Sequence, residues 1–170
     1  SRNLFLATVA FAVAFGGWSL IAPRGKRFQD DLDLTNTRTL MLTAVPVVLG
    51  SLLRIPVGAL TDRLGGRVMF PVVLVVSAVP ALIFGFVEGY AALIVVGFFL
   101  GIAGSSFAVG VPFVAGWYAK ERQGFALGVY GMGNIGTAIA AFAAPTIVDW
   151  LGREALGILT AVLLLATALV

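Results

Sequence analysis

An all-α membrane protein of six transmembrane helices is the fold class this 170-residue sequence predicts, and three observations predict it. Hydrophobic residues make up 60% of the chain and charged residues only 11%, where a soluble domain carries about a quarter charged. Mean hydropathy is +1.06. Apolar runs of roughly 20 residues, the length that crosses a bilayer core, recur along the whole chain and are separated by polar or turn-rich breaks: PRGKRFQDDLDLTNTR, DRLGGR, EGY, AKERQ and DWLGRE. A soluble helical core fails on the same composition, because too little polar surface remains to face water.

The spans fall at about 3–23, 39–62, 68–87, 91–117, 122–147 and 154–170, and their mostly short connections make an antiparallel bundle in the lipid bilayer. The first run is too long for a cleavable signal peptide and lacks a small-residue cleavage site. The second holds Pro46 and Pro56, each of which removes a backbone hydrogen bond and bends the helix. The third follows Gly65 and Gly66, which permit a tight turn. The fourth is rich in small residues from Gly97 to Gly110, and the fifth opens with glycines at 124, 128, 131, 133 and 136. Spacing of this kind lets transmembrane backbones approach closely. The sixth stops inside an apolar run at Val170 and the chain starts at a serine, so a segment of something longer is expected.

The chain has no cysteine and no histidine. Disulfides, thiolate chemistry and the commonest metal ligands are therefore out of reach, and an enzyme is the least supported class. No metal, cofactor or nucleic-acid partner is expected.

Arg54 is the sharpest feature. It lies eight residues before Asp62, about 12 Å from the nearer span end at 1.5 Å per residue, inside the run LMLTAVPVVLGSLLRIPVGAL. An arginine at that depth costs roughly 2.5–3.5 kcal/mol on insertion scales, and such residues are usually functional. Gly50 and Gly58, at i−4 and i+4, leave room beside it on the same helical face. A guanidinium is a planar fork suited to flat oxyanions. The alternative is an internal ion pair, but Asp30, Asp31, Asp33, Asp62, Glu88, Glu121, Asp149 and Glu154 all lie in loops or at span ends. Arg54 is expected to face a cavity and bind an anion.

Two more candidates lie near mid-membrane. Phe107, thirteen residues before Lys120, either walls a flat substrate or is core. Asn134, about 18 Å from the nearer span end, either donates to an anion or makes an interhelical hydrogen bond. The glycines Gly128, Gly131, Gly133 and Gly136 serve close packing or small helix deformations.

The loop after the second span, Gly58-x-Leu60-x-Asp62-Arg63-Leu64-Gly65-Gly66-Arg67, resembles the G-x-x-x-D-R-x-G-R-R/K motif of the major facilitator superfamily, with Gly66 where a basic residue is usual. The resemblance implies a conformational role for Gly58, Asp62, Arg63, Gly65 and Arg67, with Asp62 as a latch. It also implies one six-helix half of a twelve-helix protein, and a cytoplasmic position for this loop. Charge counts leave orientation tied: Arg2, Arg63, Arg67, Lys120 and Arg122 on one side, Arg24, Lys26, Arg27, Arg38 and Arg153 on the other. The loop breaks the tie toward a cytoplasmic amino terminus in a cell (inner) membrane.

The run SSFAVGVPFVAGWYAKERQGFALGVYGMGNIG and the run from Leu52 to Arg67 narrow this further: they are similar to the nitrate/nitrite porter family. That resemblance implies alternating-access transport of nitrate or nitrite. It implies substrate contacts from Arg54, Phe107 and Asn134, and a second arginine from another six-helix half. No carboxylate or histidine lies deep in a span, so anion exchange is favoured over proton symport. The rival readings are a porter of another small anion, such as a monocarboxylate or oxalate, and a six-span assembly module that moves nothing.

Overall fold

The computed structural model describes residues 2–170, and among them there are helices and turns but no strand. The elements are α1 (Arg2–Trp18), a 3-10 turn (Ala22–Arg24), α2 (Gly25–Asp31), α3 (Asn36–Leu64), α4 (Gly66–Phe84), α5 (Tyr90–Gly104), α6 (Ser106–Ala115), α7 (Lys120–Gly131), a 3-10 turn (Met132–Asn134) and α8 (Ile135–Ala168). Thr35 starts α3 with a side chain that accepts from the Arg38 amide at 3.4 Å, satisfying one of the orphan donors of a first turn.

The count of six separate spans is not confirmed. Among the described residues, five helical segments are long and apolar enough to cross a bilayer: Arg2–Asp31, Asn36–Leu64, Gly66–Phe84, Tyr90–Ala115 and Lys120–Ala168. The spans expected at 122–147 and 154–170 run together because the intervening DWLGRE stays helical on both sides of one residue, Gly152 (φ 86°, ψ 168°). That residue sits in a region open to glycine and strained for other side chains. The merged segment has 49 residues, about 73 Å at helical rise, more than twice a bilayer core. Gly136 and Ala143 before the break, and Thr160 and Leu163 after it, line one cleft with Ala12 and Gly16 of α1. The chain therefore doubles back at Gly152.

Lipid tails are as apolar as leucine, so helices in a membrane associate through close packing and interhelical hydrogen bonds. Here small residues supply the approach. A Cβ at Gly50 would stand 2.9 Å from the Gly101 carbonyl oxygen, joining α3 to α5, and one at Gly157 would stand 2.8 Å from the Gly85 nitrogen, joining α8 to the end of α4. A Cβ at Gly136 would overlap the Ala12 carbonyl of α1. The core between these contacts is aromatic and aliphatic, with Phe11, Phe84, Leu93, Leu100, Val109 and Leu164 fully buried.

One end of the bundle is tied by contacts between residues far apart in sequence. Arg153 donates to the carbonyls of Gly85 and Val87 after α4, and Arg27 pairs with Asp149. Arg24, expected in an open loop, is only 4% exposed, with its guanidinium 4.8 Å above the Phe28 ring.

Candidate functional site

Arg54 points away from the packed side of α3. The buried residues of that helix are Leu42, Pro46, Gly50 and Thr61, a narrow stripe, while Leu52, Arg54 and Ile55 are exposed. Among the described residues Arg54 has no carboxylate partner; the one ion pair is that of Arg27 with Asp149. Its guanidinium lies 5.7 Å from the centre of the Phe107 ring. A cation over an aromatic face at this distance gains about 0.5–1 kcal/mol where exposed and about 2 or more when desolvated.

The expected neighbours of Arg54 divide. Gly58 has nothing within 4 Å of the place a Cβ would take, consistent with room beside the guanidinium. Gly50 does not make that room, because it is the close contact with α5. Its missing side chain serves helix approach instead.

Phe107 is both accessible and packed. The residue is 37% exposed, and its ring, 5.7 Å from the Arg54 guanidinium, also packs at 5.7 Å on Phe11 and at 6.2 Å on Tyr130. Phe11 and Tyr130 stack on each other at 4.7 Å. The Tyr130 hydroxyl donates to the Ser106 carbonyl oxygen at 3.2 Å, immediately before Phe107. Neither Phe11 nor Tyr130 was among the sequence-predicted site residues. The available signal was that Tyr130 is the single tyrosine of three that lies deep in a predicted span, and a buried phenol normally needs a hydrogen-bond partner.

Asn134 closes the 3-10 turn Met132–Asn134 and is exposed. Its carbonyl accepts from Thr137 Oγ1 at 2.7 Å, but among the described residues its side-chain amide makes no hydrogen bond. The structure thus brings Arg54 and Phe107 together and leaves Asn134 free on another open helix. The glycines around it serve two faces. Gly133 and Gly136 pack against Phe11, Thr8 and Ala12 of α1, whereas Gly128 and Gly131 have nothing within 4 Å.

The loop motif is partly explained by packing. Gly65 turns α3 into α4 with φ at 81°. A Cβ at Gly66 would stand 2.6 Å from Phe113, so this position holds no basic side chain unless Phe113 moves. The Arg67 guanidinium lies 5.4 Å from the Trp117 ring. Asp62 and Arg63 are exposed and make no ion pair among the described residues, so a latch through Asp62 is not formed here. On the next loop at that end, Gln123 donates to the carbonyls of Ala115 and Tyr118 at 3.0 and 3.2 Å, which caps the end of α6.

Comparison with known proteins identifies the family. The family model described as Major Facilitator Superfamily matches residues 7–170. A Mycobacterium tuberculosis protein named "Probable nitrate/nitrite transporter NarK2" is 43% identical over 173 residues, covering 100% of this chain and 44% of that protein. The "Nitrite extrusion protein" of Bacillus subtilis is 41% identical over 150 residues, 88% of this chain and 38% of the relative. The "Probable nitrate transporter NarT" of Staphylococcus aureus is 40% identical over 152 residues, 89% of this chain and 39% of the relative. The chain spans less than half the length of each.

Proposed function

The chain belongs to the major facilitator superfamily, and from that premise we propose that it is the amino-terminal half of a nitrate or nitrite transporter. In this reading the half crosses a cell (inner) membrane six times with its amino terminus in the cytoplasm, and works by alternating access and anion exchange. The doubling back at Gly152 supports six crossings. The length of the relatives supports a second half. So does the distribution of burial: the apolar windows of α3 and of Lys120–Ala168 are 17% and 28% buried, against 56% for Arg2–Asp31. These two least covered segments are the ones that carry Arg54 and Asn134.

The observation that carries the reading is Arg54, a permanent cation on a membrane-spanning helix, paired among the described residues with an aromatic face and no acid. A second cation on the opposing half would meet it when the halves close. Two guanidinium charges about 7 Å apart at an effective dielectric of about 20 repel by roughly 2.4 kcal/mol, and a monovalent anion between them more than reverses the sign. Closure is therefore favoured when an anion is aboard and disfavoured when the cavity is empty, which is the condition for exchange. Phe107 gives the unloaded guanidinium a partial counter-charge and offers a flat wall to a planar anion. No covalent chemistry is required, and the transport cycle consists of binding, closure and release.

The test is nitrate uptake by the complete two-half transporter in proteoliposomes preloaded with nitrite. Arg54→Lys keeps the charge but loses the planar fork, and uptake at low nitrate is expected to fall at least tenfold. Uptake at the wild-type level in this variant would sink the role of Arg54. Uptake blocked by formate or oxalate yet indifferent to nitrite would replace nitrate by a carboxylate as the substrate class.

A further inference from the structure

We infer that Tyr130 is a positioning residue for the anion site, its hydroxyl setting the ring of Phe107 against which Arg54 rests. The inference depends on the anion-site reading above and adds a residue that does not itself touch the anion.

Tyr130 is 1% exposed. If it served packing alone, phenylalanine would fill the same space without an O–H whose burial needs a partner. That partner is the Ser106 carbonyl oxygen, on a helix 24 residues away in sequence. The acceptor lies at a joint. The helix ladder of α5 ends at Gly104, Ser105 turns, and Ser105 Oγ donates back to the Ile102 carbonyl at 2.7 Å. Ser106 then begins a new helix, α6, and Phe107 is its second residue. At this joint the backbone bonds tighten to three-residue spacing, Ser105 N–H to the Ile102 carbonyl at 3.0 Å and Ala108 N–H to the Ser105 carbonyl at 2.9 Å, so a bond made to Ser106 from outside acts where the regular ladder is interrupted and next to the ring that follows.

The rest of the geometry agrees. A Cβ at Gly110, one turn after Ser106, would overlap the Tyr130 hydroxyl; the phenol occupies space that only glycine leaves open. Its ring is stacked on Phe11, and both Phe11 and Tyr130 pack against Phe107, whose ring also lies 5.7 Å from the Arg54 guanidinium. A chain of contacts thus runs from α7 through the α6 joint to the cation on α3. A displacement of α7 during the transport cycle reaches the substrate-facing ring along it.

The experiment measures nitrate KM and kcat in proteoliposomes for the complete transporter and for Tyr130→Phe, Phe107→Leu, the double variant and Arg54→Lys, with thermal unfolding of each in detergent. Tyr130→Phe is expected to unfold within a few degrees of wild type and to raise KM about three- to tenfold, the worth of one hydrogen bond, with kcat little changed. In the Phe107→Leu background the same change is expected to add nothing, because its route to the anion is gone. An unchanged KM in Tyr130→Phe, or an equal KM increment with and without Phe107, overturns the positioning role. So does a joint fall of kcat and unfolding temperature with KM unmoved. Wild-type transport by Arg54→Lys would instead overturn the anion-site reading on which the inference rests.

Discussion

The two glycines one turn either side of Arg54 give a matched pair of substitutions. A methyl group at Gly50 would stand 2.9 Å from the Gly101 carbonyl oxygen and 3.7 Å from the Gly104 Cα. Ordinary contact begins near 3.4 Å, so α3 must withdraw from α5 by about 0.5 Å, and overpacking of this kind costs about 1–3 kcal/mol. A methyl group at Gly58 meets nothing within 4 Å, and replacing a helical glycine by alanine gains up to about 1 kcal/mol. At about 2–4 °C per kcal/mol for a chain of this size, Gly50→Ala is expected to unfold several degrees below wild type and Gly58→Ala at or slightly above it. Thermal unfolding of the purified chain in one detergent reads both. If the two variants shift equally, or if Gly58→Ala is the more damaging, the assignment of Gly50 to helix packing and of Gly58 to open space is wrong. The same pair has an inverse expectation for transport in the complete protein. A methyl at Gly58 narrows the open space on the Arg54 face of α3 and is expected to slow uptake while leaving the fold intact.

Two further outcomes are expected. Gln123→Leu leaves the carbonyls of Ala115 and Tyr118 without their side-chain donor; a loss of about 1–3 kcal/mol is expected in denaturant unfolding, together with faster proteolysis of the 116–120 loop. Gly152→Ala places a side chain at φ 86°, where strain costs about 1–3 kcal/mol. A lower unfolding temperature with unchanged helical circular dichroism at room temperature checks it.

The helical membrane architecture was legible because hydropathy measures the transfer energy that builds it. The division between the last two spans was legible as a polar break but not as a change of secondary structure. Composition at DWLGRE marks where the chain meets water, whereas the backbone there departs from the helix at Gly152 alone. At the site, Arg54 stood out because a charge in lipid is conspicuous in any single sequence. Its pairing with Phe107 was less legible, since nothing in spacing along one helix says which ring of another lies opposite. Tyr130 was missed for a related reason: its meaning lies in a carbonyl of Ser106 and a missing side chain at Gly110, and neither marks a sequence. Gly50 illustrates the converse error. Its position on the Arg54 face suggested a shared purpose, but a helix face is wide enough for one turn to serve packing and the next to serve a cavity.

The contacts that Arg153 and Arg27 make have a mechanical consequence. They join the ends of α4, α2 and α8 across 66 to 122 residues of sequence, while at the opposite end Asp62 and Arg63 join nothing among the described residues. The rim of Arg153 and Arg27 is thus held by charged side chains, whereas the Asp62 rim is held by Arg67 over Trp117 and by Gln123 on the Ala115 and Tyr118 carbonyls. A force that spreads the helices at the Asp62 rim has to part the Arg67–Trp117 contact while the Arg153 rim stays tied, and the tied rim becomes the fulcrum. The distance of Arg54 from that fulcrum sets the arm through which a small swing of the bundle turns into a displacement of the cation.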